Sequence, residues 1–111
     1  MTAIYHTPAW ELAERIRRKE ISPLELMQAT LDRIETANPA LNAFVGLRPE
    51  AALAEARRMT AQIVAGETVG PLAGIPLGVK DLEDTVGMVT SYGSIPFKNN
   101  MAAEDSIQVA R

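Results

Sequence analysis

The sequence predicts an α/β fold, with N-terminal helices lying over part of a mixed sheet. Three observations carry this reading. Apolar residues recur at helical spacing through residues 9–63, punctuated by proline and capping signals. Two short apolar runs, Leu41 to Leu47 and Gly74 to Asp81, have the composition of strands. From Gly66 onward glycine and proline arrive every few residues, a density that helices do not survive.

The elements follow in chain order. Thr7 is placed to cap a helix with Pro8 at its first position, where a missing N–H is harmless. Ala9, Leu12, Ala13 and Ile16 then form one apolar stripe. Arg15, Arg17, Arg18 and Lys19 gather at the C-terminal end, where cations suit the helix dipole. Ser22-Pro23-Leu24-Glu25 reads as a capping box opening a second helix, with Leu24, Met27, Leu31 and Ile34 along one side. Asn38-Pro39 is expected to stop it, because proline disfavours helical backbone at the preceding residue. Leu41 to Leu47 is read as a strand. Pro49 opens a third helix with Ala52, Ala56, Met59 and Ile63 inward and Gly66 as its stop. Gly74 to Asp81 is read as a strand between loops, and residues 85–94 as irregular. Glu104-Asp105-Ser106 begins a last helix, and the sequence ends within two turns of it. So short a helix is marginal alone, and the expectation is a chain cut inside an element.

Composition narrows the function classes. Eleven basic against 14 acidic residues leave a net charge of -3, which argues against the basic stripe of a nucleic-acid binder. A chain without cysteine has no disulfide, thiolate zinc site or thiol nucleophile, and one histidine, His6, builds no metal site alone. No metal or cofactor is expected. The first residues lack the basic and apolar regions of a secretory signal, and no apolar run reaches membrane-spanning length. A cytoplasmic location without membrane attachment is expected.

The glycine-rich segment is not a phosphate loop: Gly74 and Gly78 have the wrong spacing before Lys80, and Asp81 would repel phosphate. Gly70, Gly74 and Gly78 stand four apart, but Pro71 and Pro76 exclude a helix-pairing motif. Asp81, Glu83 and Asp84 lack the ligand spacing of a calcium loop and read as a solvated turn. Ser91 and Ser94 lie outside any nucleophile elbow, and Ser94, between Gly93 and Ile95-Pro96, reads as a turn residue.

Lys80 is the residue of interest. It ends the apolar run Ile75-Pro76-Leu77-Gly78-Val79. A lysine there either reaches solvent or pairs with a carboxylate such as Asp81, or it stays desolvated. Desolvation favours the neutral amine, which is a competent base or nucleophile.

The run from Pro71 through Gly74-Ile75-Pro76 to Lys80-Asp81, followed by Asp84-Thr85-Val86-Gly87-Met88 and Thr90-Ser91-Tyr92-Gly93-Ser94, closely resembles the amidase signature family. Ser22-Pro23, Glu25-Leu26, Leu41-Asn42-Ala43-Phe44 and the late Asp105-Ser106 extend the resemblance along nearly the whole chain. One departure is Ser91, where the family often has threonine. The resemblance implies an amide hydrolase acting on carbon–nitrogen bonds other than peptide bonds, through a Ser–cis-Ser–Lys triad and an acyl-enzyme. It aligns Lys80 with the catalytic lysine. The Gly/Ser-rich segment that supplies both serines in the family is not found in residues 1–111, so the chain is expected to be the N-terminal part, 1–111, of a single amidase domain, inactive alone. The implied partner is a small-molecule amide, with a homo-oligomer left open. The rival readings are an amidase-derived remnant that binds a partner without catalysis, and an A-type amidotransferase component that works on charged tRNA.

Overall fold

In a computed structural model, residues 3–111 are described. They divide into two compact units, residues 3–76 and 77–111.

The first unit is helical. A 3-10 turn, Ile4–His6, precedes α1, Ala9–Arg17. Leu12 and Ile16 of the predicted stripe are buried. Thr7 does not cap α1. Pro8 holds the cap position, and the Thr7 hydroxyl turns back to donate to the Ala3 carbonyl at 3.4 Å. The helix ends by a six-to-one bond from Glu20 N–H to Arg15 O and a five-to-two bond from Lys19 N–H to Ile16 O. Lys19 takes the left-handed conformation, φ 60°, that such an ending requires.

The capping box appears as read. The Ser22 side chain accepts from Glu25 N–H at 3.1 Å, and the Glu25 carboxylate accepts from Ser22 N–H at 2.8 Å. These open α2, Pro23–Leu41. The expected stop at Asn38-Pro39 is wrong, since α2 runs through Pro39. A proline so near the end removes a single late N–H, and the helix closes at Asn42, which is left-handed and donates to Asn38 O at 2.7 Å.

The expected strand at 41–47 is also absent. Leu41 ends α2, and Phe44 meets a side chain instead of a neighbouring strand. Asn38 donates from Nδ2 to Phe44 O at 3.0 Å and accepts Phe44 N–H on Oδ1 at 2.8 Å.

The third helix, α3, is Pro49–Val64. Gly66, φ 78°, ends it as the sequence indicated. The helices α2 and α3 pack together. Thr60 of α3 accepts Leu24 N–H at 3.2 Å, satisfying a first-turn donor that α2 cannot satisfy itself. The core is Leu12, Ile16 and Leu26, with Ile4, Ile21, Ile63 and Ile75 against it. Ile75 arrives by a turn over 72–75 in which Gly74 has φ 85°. A Cβ on Gly74 would lie 2.6 Å from Pro23 Cγ. Glycine is therefore required here both by backbone conformation and by space.

The second unit carries no extended ladder. An isolated antiparallel bridge joins Val89 and Met101. A 3-10 turn, Ile95–Phe97, and a four-residue helix, α4, Ile107–Ala110, are its helical pieces. The mixed sheet predicted from sequence is thus not formed among the described residues. An extended run becomes a strand only when another backbone lies beside it to exchange hydrogen bonds, and the 74–81 run has none here.

Candidate functional site

Lys80 lies in the second unit, and of the surroundings the sequence left open for it the structure shows the solvent-exposed one. Lys80 is exposed, as are Leu77 and Val79 on its approach. A single extended segment cannot desolvate its own side chains, because covering both faces takes packed layers. Pairing with Asp81 does not occur either, and among the described residues no carboxylate lies within ion-pairing distance of the Lys80 ammonium.

Asp81 is engaged elsewhere. One carboxylate oxygen accepts Ser91 N–H at 2.8 Å, and the other accepts the Ser91 hydroxyl. Ser91 Oγ in turn accepts Gly93 N–H at 3.2 Å. The hydroxyl bond is the main reason the Asp81 carboxyl is held below its ordinary value of 3.8, and the Ser91 N–H adds to it. Lys80 itself opens a turn closed by Glu83 N–H donating to Lys80 O at 3.0 Å.

The Asp81 clasp sits in a polar frame. Thr90, 2% exposed, donates its N–H to Asn100 O at 2.9 Å, and Asn100 Nδ2 returns a bond to Thr90 O at 3.0 Å. Tyr92, φ 54°, donates its hydroxyl to Asp84 at 2.8 Å and stands edge-on to Phe97. That bond is the leading cause of the rise in Tyr92 above its ordinary 10.0. Asp105 accepts Val86 N–H at 2.7 Å, and Ser106 N–H donates to Asp84 O at 2.9 Å.

The turn reading of Asp81 agrees with the bond from Glu83 N–H to Lys80 O that spans it. Ser106 caps α4 by position, but its side chain makes no cap bond, and its Oγ is buried without a partner. Sequence reasoning missed the long-range partners of Asp81, Asp84 and Asp105. Their only signal is an acidic residue in a turn, with the partner N–H 10 or 19 positions away for Asp81 and Asp105 and the partner hydroxyl eight away for Asp84, which spacing alone does not distinguish. Among the described residues, no group of three His, Asp or Glu side chains is disposed around a metal position.

The helical capping, the Gly74 turn and the Lys80–Ser94 frame are the setting of the motif read in the sequence, and comparison with known proteins places them. The sequence profile of the Amidase family matches residues 25–111, and the chain belongs to the amidase signature family. It is 38% identical over 108 residues to the A subunit of glutamyl-tRNA(Gln) amidotransferase from Carboxydothermus hydrogenoformans, covering 97% of this chain and 22% of that protein. Among solved structures it resembles a vestigial protein complex bearing on the origins of an s-triazine catabolic enzyme. That match has TM-score 0.87 and 30% identity over 94% of this chain and 23% of the other. It also resembles a bacterial aryl acylamidase of the amidase signature enzymes, with TM-score 0.82 and 35% identity over 87% of this chain and 20% of the other. The chain spans about a fifth of the length of these relatives.

Proposed function

We propose that this chain is the N-terminal segment of an amide hydrolase of the Ser–cis-Ser–Lys type, with Lys80 as the triad lysine. The observation that carries the reading is the state of the hydroxyls around Lys80. Ser91 donates to Asp81 and accepts from Gly93, so it is spent on the turn and not held ready for attack. Among the described residues the Lys80 ammonium makes no ion pair, and it stands on a segment whose sequence is that of the family motif. The two serines would come from further polypeptide, in keeping with relatives several times longer than this chain.

In the complete protein that polypeptide would cover the Leu77–Lys80 run and exclude water from the amine. The neutral Lys80 amine would then take a proton from the bridging serine, which takes one from the nucleophilic serine. The nucleophile attacks the amide carbon, the amine leaves with a proton, and water cleaves the acyl-enzyme. Backbone N–H groups beside the serines would stabilise the oxyanion. The substrate would be a small carbon–nitrogen amide outside the peptide class.

The test compares the chain alone with the longer protein on a chromogenic anilide. The chain alone is expected to be inactive. The longer protein is expected to turn over and to lose about 10³-fold or more in kcat on Lys80→Ala. Retained turnover in that variant removes Lys80 from its role.

A second reading has support of its own in the relatives named as components of a glutamyl-tRNA(Gln) amidotransferase. There the same lysine would release ammonia for transfer to charged tRNA. Activity that depends on a second protein chain would favour it over a free-standing amidase. Binding of a partner by the chain with no catalysis in any longer form would favour a non-catalytic remnant.

A further inference from the structure

Lys80 carries its amine at the end of a flexible four-carbon stem, and a base of that kind works only if its backbone origin is fixed. Within this chain its own side chain is exposed, so nothing packed here fixes it. The fixing comes from the next residue. Asp81 grips Ser91 with both carboxylate oxygens, one on the N–H at 2.8 Å and one on the hydroxyl. Such a two-point bond defines a direction as well as a distance, which a single bond does not. Ser91 is in turn joined to the best-covered residue of the unit. Thr90, one position earlier, is 2% exposed and exchanges bonds with Asn100 through both its N–H and its carbonyl. An unbroken path therefore runs from the Lys80 peptide through the Asp81 carboxylate and Ser91 to the Thr90–Asn100 pair. The turn bond from Glu83 N–H to Lys80 O, 3.0 Å, holds the other end.

The same clasp has an electrostatic consequence. Asp81 is the carboxylate closest in sequence to Lys80, and a free carboxylate would draw the ammonium into an ion pair and favour the charged form, which cannot act as a base. Both Asp81 oxygens are already occupied by Ser91, and no such pair forms.

We infer that Asp81 and Ser91 act together as positioning residues for Lys80, the Ser91 N–H and hydroxyl being the fixed points on which Asp81 sets the lysine backbone. This rests on Lys80 being the catalytic base, as proposed above.

The experiment is pre-steady-state hydrolysis of a chromogenic nitrophenyl ester, whose good leaving group lets acyl-enzyme accumulate as a burst, by the complete protein that contains this chain. Burst amplitude counts competent molecules, and burst rate reads the chemistry. Ser91→Ala and Asp81→Asn are expected to keep most of the amplitude and to slow the burst by about 10–100-fold, the scale of a small misplacement of a reacting group. Ser91→Thr restores both donors and is expected to return the rate to within about threefold. An unchanged rate in Ser91→Ala and Asp81→Asn, or lost amplitude at an unchanged rate, overturns the inference, the latter by showing a structural role only. Should Ser91→Ala fail to fold, the Asp81→Asn rate decides. Lys80→Ala in the same assay separates the two levels. A burst that survives there defeats the lysine assignment itself, whereas a burst lost there but unslowed in the clasp variants defeats only the positioning role.

Discussion

In residues 3–76 the buried side chains are Leu12, Ile16, Pro23, Leu26 and Ala56; in residues 77–111 they are two threonines, Thr85 and Thr90. The first unit excludes water from apolar surface between helices, of which α2 opens on a side-chain capping box. Both units leave large apolar side chains exposed, Trp10 and Val45 in the first and Leu77 and Ile95 in the second, but the second holds its turns with carboxylates that accept N–H groups far along the chain. Burial is roughly proportional to area and non-directional, so the first unit fixes helices without fixing fine geometry. Hydrogen bonds accepted by carboxylates are directional, and the net energy of each is modest. The motif lysine stands in the unit built for direction.

The largest effect expected from this contrast is at Leu26, 2% exposed at the centre of the apolar cluster. Leu26→Ala should destabilise the helices by about 2–5 kcal/mol, read from urea unfolding followed by far-ultraviolet circular dichroism. A loss below half a kilocalorie (roughly the surface-mutation range) would break the picture of an apolar-held first unit.

Next comes Gly74→Ala. Its Cβ would meet Pro23 Cγ at 2.6 Å and Ile16 Cδ1 at 3.3 Å, at a φ of 85°. The expected cost is about 1–3 kcal/mol in the same measurement. An unchanged midpoint would mean that the Leu72–Ile75 turn is not fixed against the core.

Ser22→Ala removes the acceptor for Glu25 N–H and should cost about 1 kcal/mol of helix stability. The effect should be confined to the start of α2, visible as faster amide exchange there.

The smallest effect is acidification, and it touches both units. Hydrogen bonds from Ser22, its backbone N–H foremost, hold Glu25 below its ordinary 4.5, and bonds from Ser91 hold Asp81 below 3.8. For carboxyls whose folded values are depressed, the contribution is full above the unfolded values and is lost as pH falls through the folded ones. Stability should therefore be flat from neutrality to just above these ordinary values and decline below them. Asp81→Asn should remove its share of the decline in residues 77–111, measured by amide exchange of Ser91 against pH. An equal decline in that variant would assign the acid sensitivity to another group.

What was legible in the sequence was what is decided within a few residues. The Ser22–Glu25 box and the Gly66 helix end depend on side chains and backbone within one turn, and both read correctly. Pro39 misled because the rule for the residue before proline is a preference, outweighed where α2 gains further closure at Asn42. The 41–47 and 74–81 runs misled for another reason. Strand composition says that a segment accepts a sheet, not that one is present, and the partners of a ladder are remote in sequence. The site divided in the same way. Lys80 stood out from its apolar approach and its motif, while the Asp81–Ser91 clasp spans ten positions and its ends are individually ordinary.

The two bonds between the Asn38 side chain and Phe44 have one more consequence. A carboxamide presents one donor and one acceptor, as a peptide group does, so Asn38 occupies the very pair of groups that an incoming chain would need to dock at Phe44. The N–H and the carbonyl of Phe44 are thus both satisfied within the chain. One side chain therefore completes the backbone pairing at Phe44 that a sheet neighbour would otherwise supply.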